Sequence, residues 1–313
     1  MLYFIVNTKS RTGKAKSIWE EVKSILMENG VLYKAYATKD RGYATRLMTW
    51  LCKNNHGRIN VVVLGGDGTI NEVINGITDF ERIYLGVIPT GSGNDFAGGI
   101  GMSGSIREYV MNVINAVNND TGLLLDVGTA TWNDGKEKRR FLISSGAGLD
   151  ALVCKMALTS KLKEFLNKIK LGNLTYVLLT IYSLFSMETS DVEVKFEDEE
   201  GVEALKRQKL IFFAAMNLRA EGGGVCMAPK ATPYDGFLSV CMAYGIKKWK
   251  AFFDLPFLVV GKHEKLKGFE LKNTKKVTLT SDKPLVLHTD GEYCGEVYEV
   301  VFDCEGEKLH LMV

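Results

Sequence analysis

Short apolar runs punctuate the first 118 residues: "YFIVN" (3–7), "LYKAYA" (32–37), "INVVVLG" (59–65) and "IYLGVIP" (83–89). Each is rich in β-branched and aromatic residues, the pattern of a strand covered on both faces. Helical spacing fills the gaps, over 14–28, 43–53, 70–75 and 105–118. Strand and helix in alternation predict an α/β domain, a doubly wound parallel sheet with helices on both sides. The polar stretch "NAVNNDTG" (115–122) reads as a linker. Beyond it, from "LLLDVGTATW" to the final "KLHLMV", short strand signals separated by turn residues predict a largely antiparallel β-sandwich or barrel. A long helical stretch, 149–187, interrupts that series, and "FEDEEGVEALKRQK" reads as a solvated hairpin. The expected domains are 1–119 and 120–313, with the last strands able to pack back on the first domain.

At 313 residues the chain has room for two such domains of about 150 residues each. A hydrophobic share of 46% and a charged share of 24% fit a globular protein in water. Lys and Arg number 39 against 37 Asp and Glu, and this net +2 argues against a nucleic-acid binder. An anionic ligand is therefore expected at a local site. The 6 cysteines form no CxxC pair and no compact Cys/His cluster, which argues against a zinc site or a disulfide framework and fits a reducing cytoplasm. The longest apolar run, "LTYVLLTIYSLFSM" (174–187), falls short of the roughly 17 to 25 residues of a membrane-spanning helix. The N-terminal run lacks the basic flank of a signal peptide, so at most a surface attachment to membrane is expected.

Candidate chemistry gathers where two strands run into helices. In "VVVLGGDGTINEVINGI" (61–77), Gly65, Gly66 and Gly68 remove the Cβ at three positions of the turn, so the backbone can approach a ligand closely. With the amides of Thr69 and Ile70 at the helix start they would form a positive nest suited to a phosphate. Asp67 inside such a nest would repel a bare phosphate. It fits better against a metal-bound phosphate, or holding the amides of the loop itself, and a plain capped turn is the alternative. The next strand ends similarly, in "GVIPTGSGNDFAGG" (86–99), where Gly91 and Gly93 alternate with Ser92, Asn94 and Asp95. Two such turns on successive strands favour a shared phosphate pocket.

Other glycine patterns fail on spacing. "TGKAKS" (12–17) lacks the first Gly and the Ser/Thr of a P-loop, and "GAGLDA" (146–151) lacks the second strand with its acidic end that a dinucleotide site needs.

"GGDGTINEVINGI" and "PTGSGNDFA" together resemble the catalytic domain of the diacylglycerol kinase and sphingosine kinase superfamily, most closely its soluble bacterial lipid kinases. "IVNTKSRTGKAKSIW", "TKDRGYA", "SSGAGLDA", "LGNLTY", "GGGVCMAPKATPYDG" and "TDGE" extend the match in order and spacing. GGDGT alone is shared with NAD kinases, and the later motifs favour a lipid kinase. The resemblance implies ATP against Asn7, Thr8, Lys9, Ser10, Arg11, Thr38, Gly65, Gly66, Asp67, Gly68, Thr69, Ile70, Asn71 and Ser92. Asn94 joins that set, with Asp67 and Asp95 positioning Mg²⁺-bound phosphates. It implies a structural metal at Thr232, Asp235 and Phe237, the last through its carbonyl; Thr232 stands where some relatives carry Asp. Asn7-Thr8 replaces the family's usual Asn-Pro, and GSGND its frequent GTGND.

Asp290 in "TDGE" matches the family's proposed catalytic base, and Glu292 can share the role. Chemistry agrees, because a lipid hydroxyl is a weak nucleophile until a carboxylate within hydrogen-bond reach accepts its proton. His288 is expected on the same strand face as Asp290, packed or hydrogen-bonded rather than catalytic. The implied activity is an ATP-dependent lipid kinase, diacylglycerol to phosphatidic acid, with the acceptor entering between the domains. Alternatives are an NAD kinase, another acceptor such as phosphatidylglycerol or a sphingoid base, and a nucleotide-binding regulator without catalysis. The lysine-rich, apolar segment 160–185 suits docking on an anionic bilayer and equally a helix covering the sandwich. The expected setting is cytoplasmic and peripheral to membrane, with no nucleic-acid partner and with oligomeric state open, a homodimer included.

Overall fold

The computed structural model describes residues 1–8, 14–159, 172–198 and 201–313, which form two compact units. The first comprises Met1–Val127, Pro233–Asp235 and Gly306–Val313; the second comprises Gly128–Thr232 and Gly236–Glu305.

The first unit is built on β1 (Leu2–Val6), β2 (Tyr33–Ala37), β3 (Ile59–Gly65), β4 (Ile83–Pro89), β5 (Leu123–Asp126) and β15 (Lys308–Met312), in the order β2-β1-β3-β4-β15-β5. β1 to β4 and β15 are parallel, and β5 runs antiparallel to β15. Alternation sorts the strand residues. Phe4, Val6, Val62 and Leu64 pack with Val22, Ile25 and Leu26 of α1 (Lys14–Glu28) and with Val110 and Val113 of α5 (Ile106–Asn119). Ile5, Val61 and Val63 point to the opposite face and are equally buried. α2 (Tyr43–Asn54) and α3 (Asp67–Ile74) pack together so closely that a Cβ on Gly76 would lie 2.3 Å from the Thr45 carbonyl. Helix α5 starts on a capping box, with Ser105 accepting from Glu108 N and the Glu108 carboxylate accepting from Ser105 N.

β5, which the pattern groups with the second domain, instead edges the first sheet by pairing Leu125 with Leu309. Its last residue, Asp126, is fully buried, accepts an ion pair from the Lys308 ammonium and donates its amide to the Pro233 carbonyl at 2.8 Å. Three distant pieces of chain thus meet at one buried residue.

The second unit carries an antiparallel sheet. Its strands are β6 (Gly128–Trp132), β7 (Glu137–Phe141), β8 (Ser144–Gly148), β9 (Ser190–Asp198), β10 (Gly201–Met216), β11 (Leu238–Tyr244), β12 (Phe269–Thr274), β13 (Lys276–Thr289) and β14 (Glu292–Asp303). The order is β12-β11-β10-β8-β13-β14-β6-β7, and β9 pairs with both β10 and β13. The two strand signals between 276 and 289 are one strand, whose register against β14 shifts between Thr280 and Leu285. One face encloses Val194, Phe213, Val240, Leu279 and Phe302, with the Phe213 and Phe302 rings stacked at 5.4 Å. The other, with Phe212, Ala214 and Cys241, is covered by α6 (Leu149–Thr159), α7 (Gly172–Ser186) and α8 (Lys248–Val259). The sequence pattern does not announce α8, because Pro256 interrupts it and its apolar residues surround the axis. Among the described residues no helix is long and apolar enough to cross a membrane, and all six cysteines are free thiols.

Replacing Lys308 by Met should leave the Asp126 carboxylate buried without that ammonium and lower the stability of the first unit by about 1–3 kcal/mol. Urea denaturation measures this, and an unchanged midpoint would mean that the pair anchors nothing.

Candidate active site

The two glycine turns of the first unit touch backbone to backbone. A Cβ on Gly66 would lie 2.9 Å from Gly91 Cα, and one on Gly91 would lie 2.7 Å from Gly66 Cα. Thr90 N donates to Gly65 O at 2.8 Å, which ties the ends of β3 and β4 together. Asn94, in the left-handed region at φ 56°, precedes α4 (Asp95–Gly99), and its side-chain oxygen accepts from Gly91 N at 2.7 Å.

Asp67 holds the second turn to the first. Its carboxylate accepts from Asp95 N at 3.1 Å and Phe96 N at 3.2 Å, at the positive end of α4. Holding loop amides is one of the two functional roles open to Asp67 in the sequence, and the amides it holds belong to the neighbouring turn. The expected nest is smaller than the pattern implied. Thr69 N and Ile70 N donate to Gly66 O at 2.9 and 3.1 Å, so they close the first turn of α3 and are not offered to a ligand. Asp67 N and Gly68 N start that helix, where no intrahelical acceptor exists. Ser92 is exposed on the second turn, and a Cβ on Gly93 would lie 3.5 Å from Asp95 Oδ2 and 3.6 Å from Asp67 Oδ2. Two carboxylates therefore flank Gly93, and hard oxygen donors of this kind suit Mg²⁺.

Beside the turns an open cleft is lined by Asn7, Thr38, Lys39, Arg41, Thr69 and Glu72, among others. It lies at the carboxyl ends of β1, β2 and β3, where open parallel sheets bind ligands. Asn7 N donates to Leu64 O at 2.8 Å, and its side chain donates to Thr69 Oγ1 at 3.0 Å. Thr38 N donates to Val6 O at 2.9 Å. Glu72 accepts from Gly42 N and Ala44 N at 2.8 and 3.1 Å, which fixes the start of α2. Thr8 follows Asn7, partly exposed; Lys9, Ser10 and Arg11 lie outside the described residues. Ile70 is a core residue, and Asn71 is fully buried with Asn75 Nδ2 on its carbonyl, so both support the turn from below.

In the second unit the expected base is already engaged. Asp290 accepts from Ile143 N at 2.8 Å and Ser144 N at 3.1 Å through one oxygen, and from Leu142 N at 3.1 Å through the other. Asp290 has φ 47°, so β13 ends before it and its side chain does not share the strand face of His288 as period-2 geometry suggested. Glu292 starts β14, paired across the turn with Thr289. His288 is buried, and its Nε2 lies 3.0 Å from Asp150 Oδ2. Glu221 completes a group of three whose ligand atoms lie within 4.8 Å of one another, and it also accepts from Ser144 Oγ. Sequence reasoning did not assign Asp150 or Glu221. The available signal was Gly146 of "SSGAGLDA", where a Cβ would lie 2.1 Å from Asp150 Oδ2 and 2.9 Å from His288 Nε2.

Burial disfavours the charged His288 ring, but the carboxylate of Asp150, with those of Glu221 and Asp290, outweighs it and raises the pKa to about 9. Gly291 N, 3.2 Å from Nδ1, suits an unprotonated ring, and this long contact is the weaker influence.

Of the residues that the resemblance assigns to a structural metal, Asp235 lies in the first unit and Thr232 and Phe237 in the second. The buried Asp126, which holds the Pro233–Asp235 piece through its amide, already has the Lys308 ammonium as a cation.

Glycine turns at the ends of adjacent parallel strands place a ligand site beyond those strand ends. Residues 1–125 match the diacylglycerol kinase catalytic domain, and residues 144–313, more than half of the chain, match the YegS C-terminal NAD kinase beta sandwich-like domain. The chain belongs to this kinase family. It is 25% identical over 296 residues to YtlR of Bacillus subtilis strain 168, provisionally named a lipid kinase, covering 94% of this chain and 93% of that one. It is 26% identical over 294 residues to the diacylglycerol kinase of Staphylococcus saprophyticus, covering 94% and 89%. Among solved structures, a provisionally named diacylglycerol kinase from Bacillus anthracis superimposes with a TM-score of 0.72 at 22% identity, over 99% of this chain and 96% of that one. An NAD kinase from Archaeoglobus fulgidus in complex with ATP gives 0.54 at 11% identity, over 100% and 94%. Both structural likenesses concern the fold.

Gly91→Ala should force the turns apart at a cost of about 1–3 kcal/mol, read by urea denaturation, and weaken nucleotide binding; an alanine tolerated in both measurements would mean that the contact is dispensable. The His288 pairing contributes fully below pH 6.5 and is lost as pH rises through about 9, because the folded-state pKa is the higher one. Thermal denaturation of the wild type should therefore lose stability relative to His288→Gln across that window. Parallel profiles would show a ring neutral throughout.

Proposed function

We propose that the chain transfers the γ-phosphoryl group of ATP to the hydroxyl of a lipid, diacylglycerol in the first instance, to give phosphatidic acid. The observation that carries this reading is the Gly66–Gly91 contact stapled by Asp67, which presents two glycine turns beside a cleft lined by Asn7, Thr38 and Thr69. A polyphosphate fits such a place, since backbone can approach it and helix α3 opens toward it with its first amides. Ser92 and Asn94 belong to the same turns. Lys39 and Arg41 line the cleft together with the carboxylates of Asp40 and Glu72, Asp40 being paired with Arg46 and Glu72 with backbone amides. Asp67 and Asp95 are the oxygen donors that would hold Mg²⁺, which when bound neutralises charge on the transferred group.

The reading assigns the proton of the acceptor hydroxyl to Asp290, with Glu292 as its neighbour. Three amides orient the Asp290 carboxylate before any substrate arrives, and such fixed geometry lowers the entropic part of the barrier. A lipid acceptor is supported by the names of the relatives. NAD is the second acceptor to weigh, because the C-terminal family description and the Archaeoglobus structure both point to NAD kinases.

Labelled ATP offered with dispersed diacylglycerol, phosphatidylglycerol, sphingosine or NAD should give labelled phosphatidic acid. Labelled NADP instead would overturn the lipid reading. Asp290→Asn should keep ATP binding and lose turnover by a factor of about 10² to 10⁴. It should also lower stability by about 1–3 kcal/mol, since its NH₂ group meets backbone donors. Near-normal turnover would remove Asp290 as the base.

A further inference from the structure

Helix α8 carries apolar residues on both its buried and its outward side, and its one carboxylate, Asp254, is paired with Lys250. Its Asp254 is only 8% exposed, whereas Trp249, Phe253 and Phe257 are 57%, 65% and 47% exposed, and Val260 just past its end is 60% exposed. The spacing 249, 253, 257, 260 keeps all four on one stripe, opposite Ala251 and Leu258, which pack on the sheet. The stripe is ordered within itself and continues onto α7. The Trp249 and Phe253 rings meet edge-on at 6.5 Å, Phe252 touches Phe253 at 5.4 Å, and Phe185 of α7 reaches Phe252 at 6.1 Å. Lys248 locks the two helices by donating to the carbonyls of Phe185 and Met187. On α7, Leu179 and Leu184 face the core, while Val177, Tyr182 and Phe185 face outward. A contiguous outward apolar face of this kind on a protein surface marks a binding site.

Its surroundings are basic. Between 247 and 267 stand six lysines and two carboxylates, a local net of +4 against +2 for the whole chain. Lys247, Lys262, Lys265 and Lys267 are exposed, Lys247 at the N-cap of α8 and Lys262 with its amide on the Phe257 carbonyl at 2.8 Å. A second copy of the same face would oppose one cationic rim with another, which disfavours a two-fold dimer through this surface. Anionic lipid complements it, with lysines at the headgroups and Trp, Tyr and Phe rings at the acyl boundary.

We infer that the outward face of α8, continued by α7, docks the protein on an anionic lipid bilayer. The inference deepens the lipid-kinase reading by naming the surface that meets the membrane, and it can be tested without phosphoryl transfer.

The full chain would be sedimented with phosphatidylcholine vesicles, with and without phosphatidylglycerol, in the absence of ATP and diacylglycerol. Wild type should pellet only with the anionic vesicles. Phe253→Glu and Phe257→Glu, both at exposed positions, should each weaken binding about tenfold or more, the equivalent of one lost buried aromatic. Lys262→Glu with Lys265→Glu should weaken it and flatten its salt dependence, with unchanged melting temperature in every variant. Wild type that stays in the supernatant, or a Phe253→Glu/Phe257→Glu double variant that pellets like wild type, would overturn the docking surface. So would light scattering showing a dimer that the double variant splits. Kinase product formed on dispersed acceptor without vesicle binding would sink the docking and leave the kinase reading intact. Vesicle binding without any phosphorylated product would do the reverse.

Discussion

The candidate site of the first unit depends on a close approach that only glycine permits. Gly66 and Gly91 bring two strand ends within van der Waals reach, and any side-chain carbon at either position would collide with the other backbone. Because the turns touch, the Asp67 carboxylate can cross from α3 to the start of α4 and accept two amides there. The same contact sets Asp95 beside Asp67 around Gly93. Stiff β-branched strands carry the turns, and this explains the abrupt change from Val61–Leu64 to glycine: the strands fix the ends, and the glycines let the ends meet.

The second unit repeats the device with a different outcome. Gly146 leaves room for Asp150 and His288 to pack over a strand, and the buried imidazole then sits among three carboxylates. Asp290, on the turn after His288, is drawn back to the amides of residues 142–144, so the β13–β14 turn and the entry to β8 are held together by a charge. A carboxylate in that position is structural before it is catalytic. Its substitution has to be read through stability as well as turnover.

The helices over the second sheet show the opposite economy. α7 and α8 cover a core with one face and leave aromatic residues on the other. Asp254 lies inside with the Lys250 ammonium as its ion-pair partner, while Trp249 and Phe253 stand outside, the arrangement from which docking on lipid is inferred. Of the segment 160–185, which by sequence suits docking and equally a helix covering the sandwich, residues 160–171 lie outside the described residues.

Local pattern was enough for the alternating strands and helices of residues 1–118, both glycine turns and the antiparallel character of the rest. Each of these is written in periods of 2 or 3.6 residues, or in a backbone conformation that one residue type allows. Tertiary structure alone decided the partners. Asp290 meets amides 146 to 148 positions away, His288 meets Asp150 across 138, and Lys308 meets Asp126 across 182. No short window of sequence records such meetings, because they follow from sheet order. β15 inserts between β4 and β5, and β13 lies between β8 and β14. The outward stripe of α8 was hidden for the related reason that hydrophobicity around a whole helix does not say which side the sheet will take.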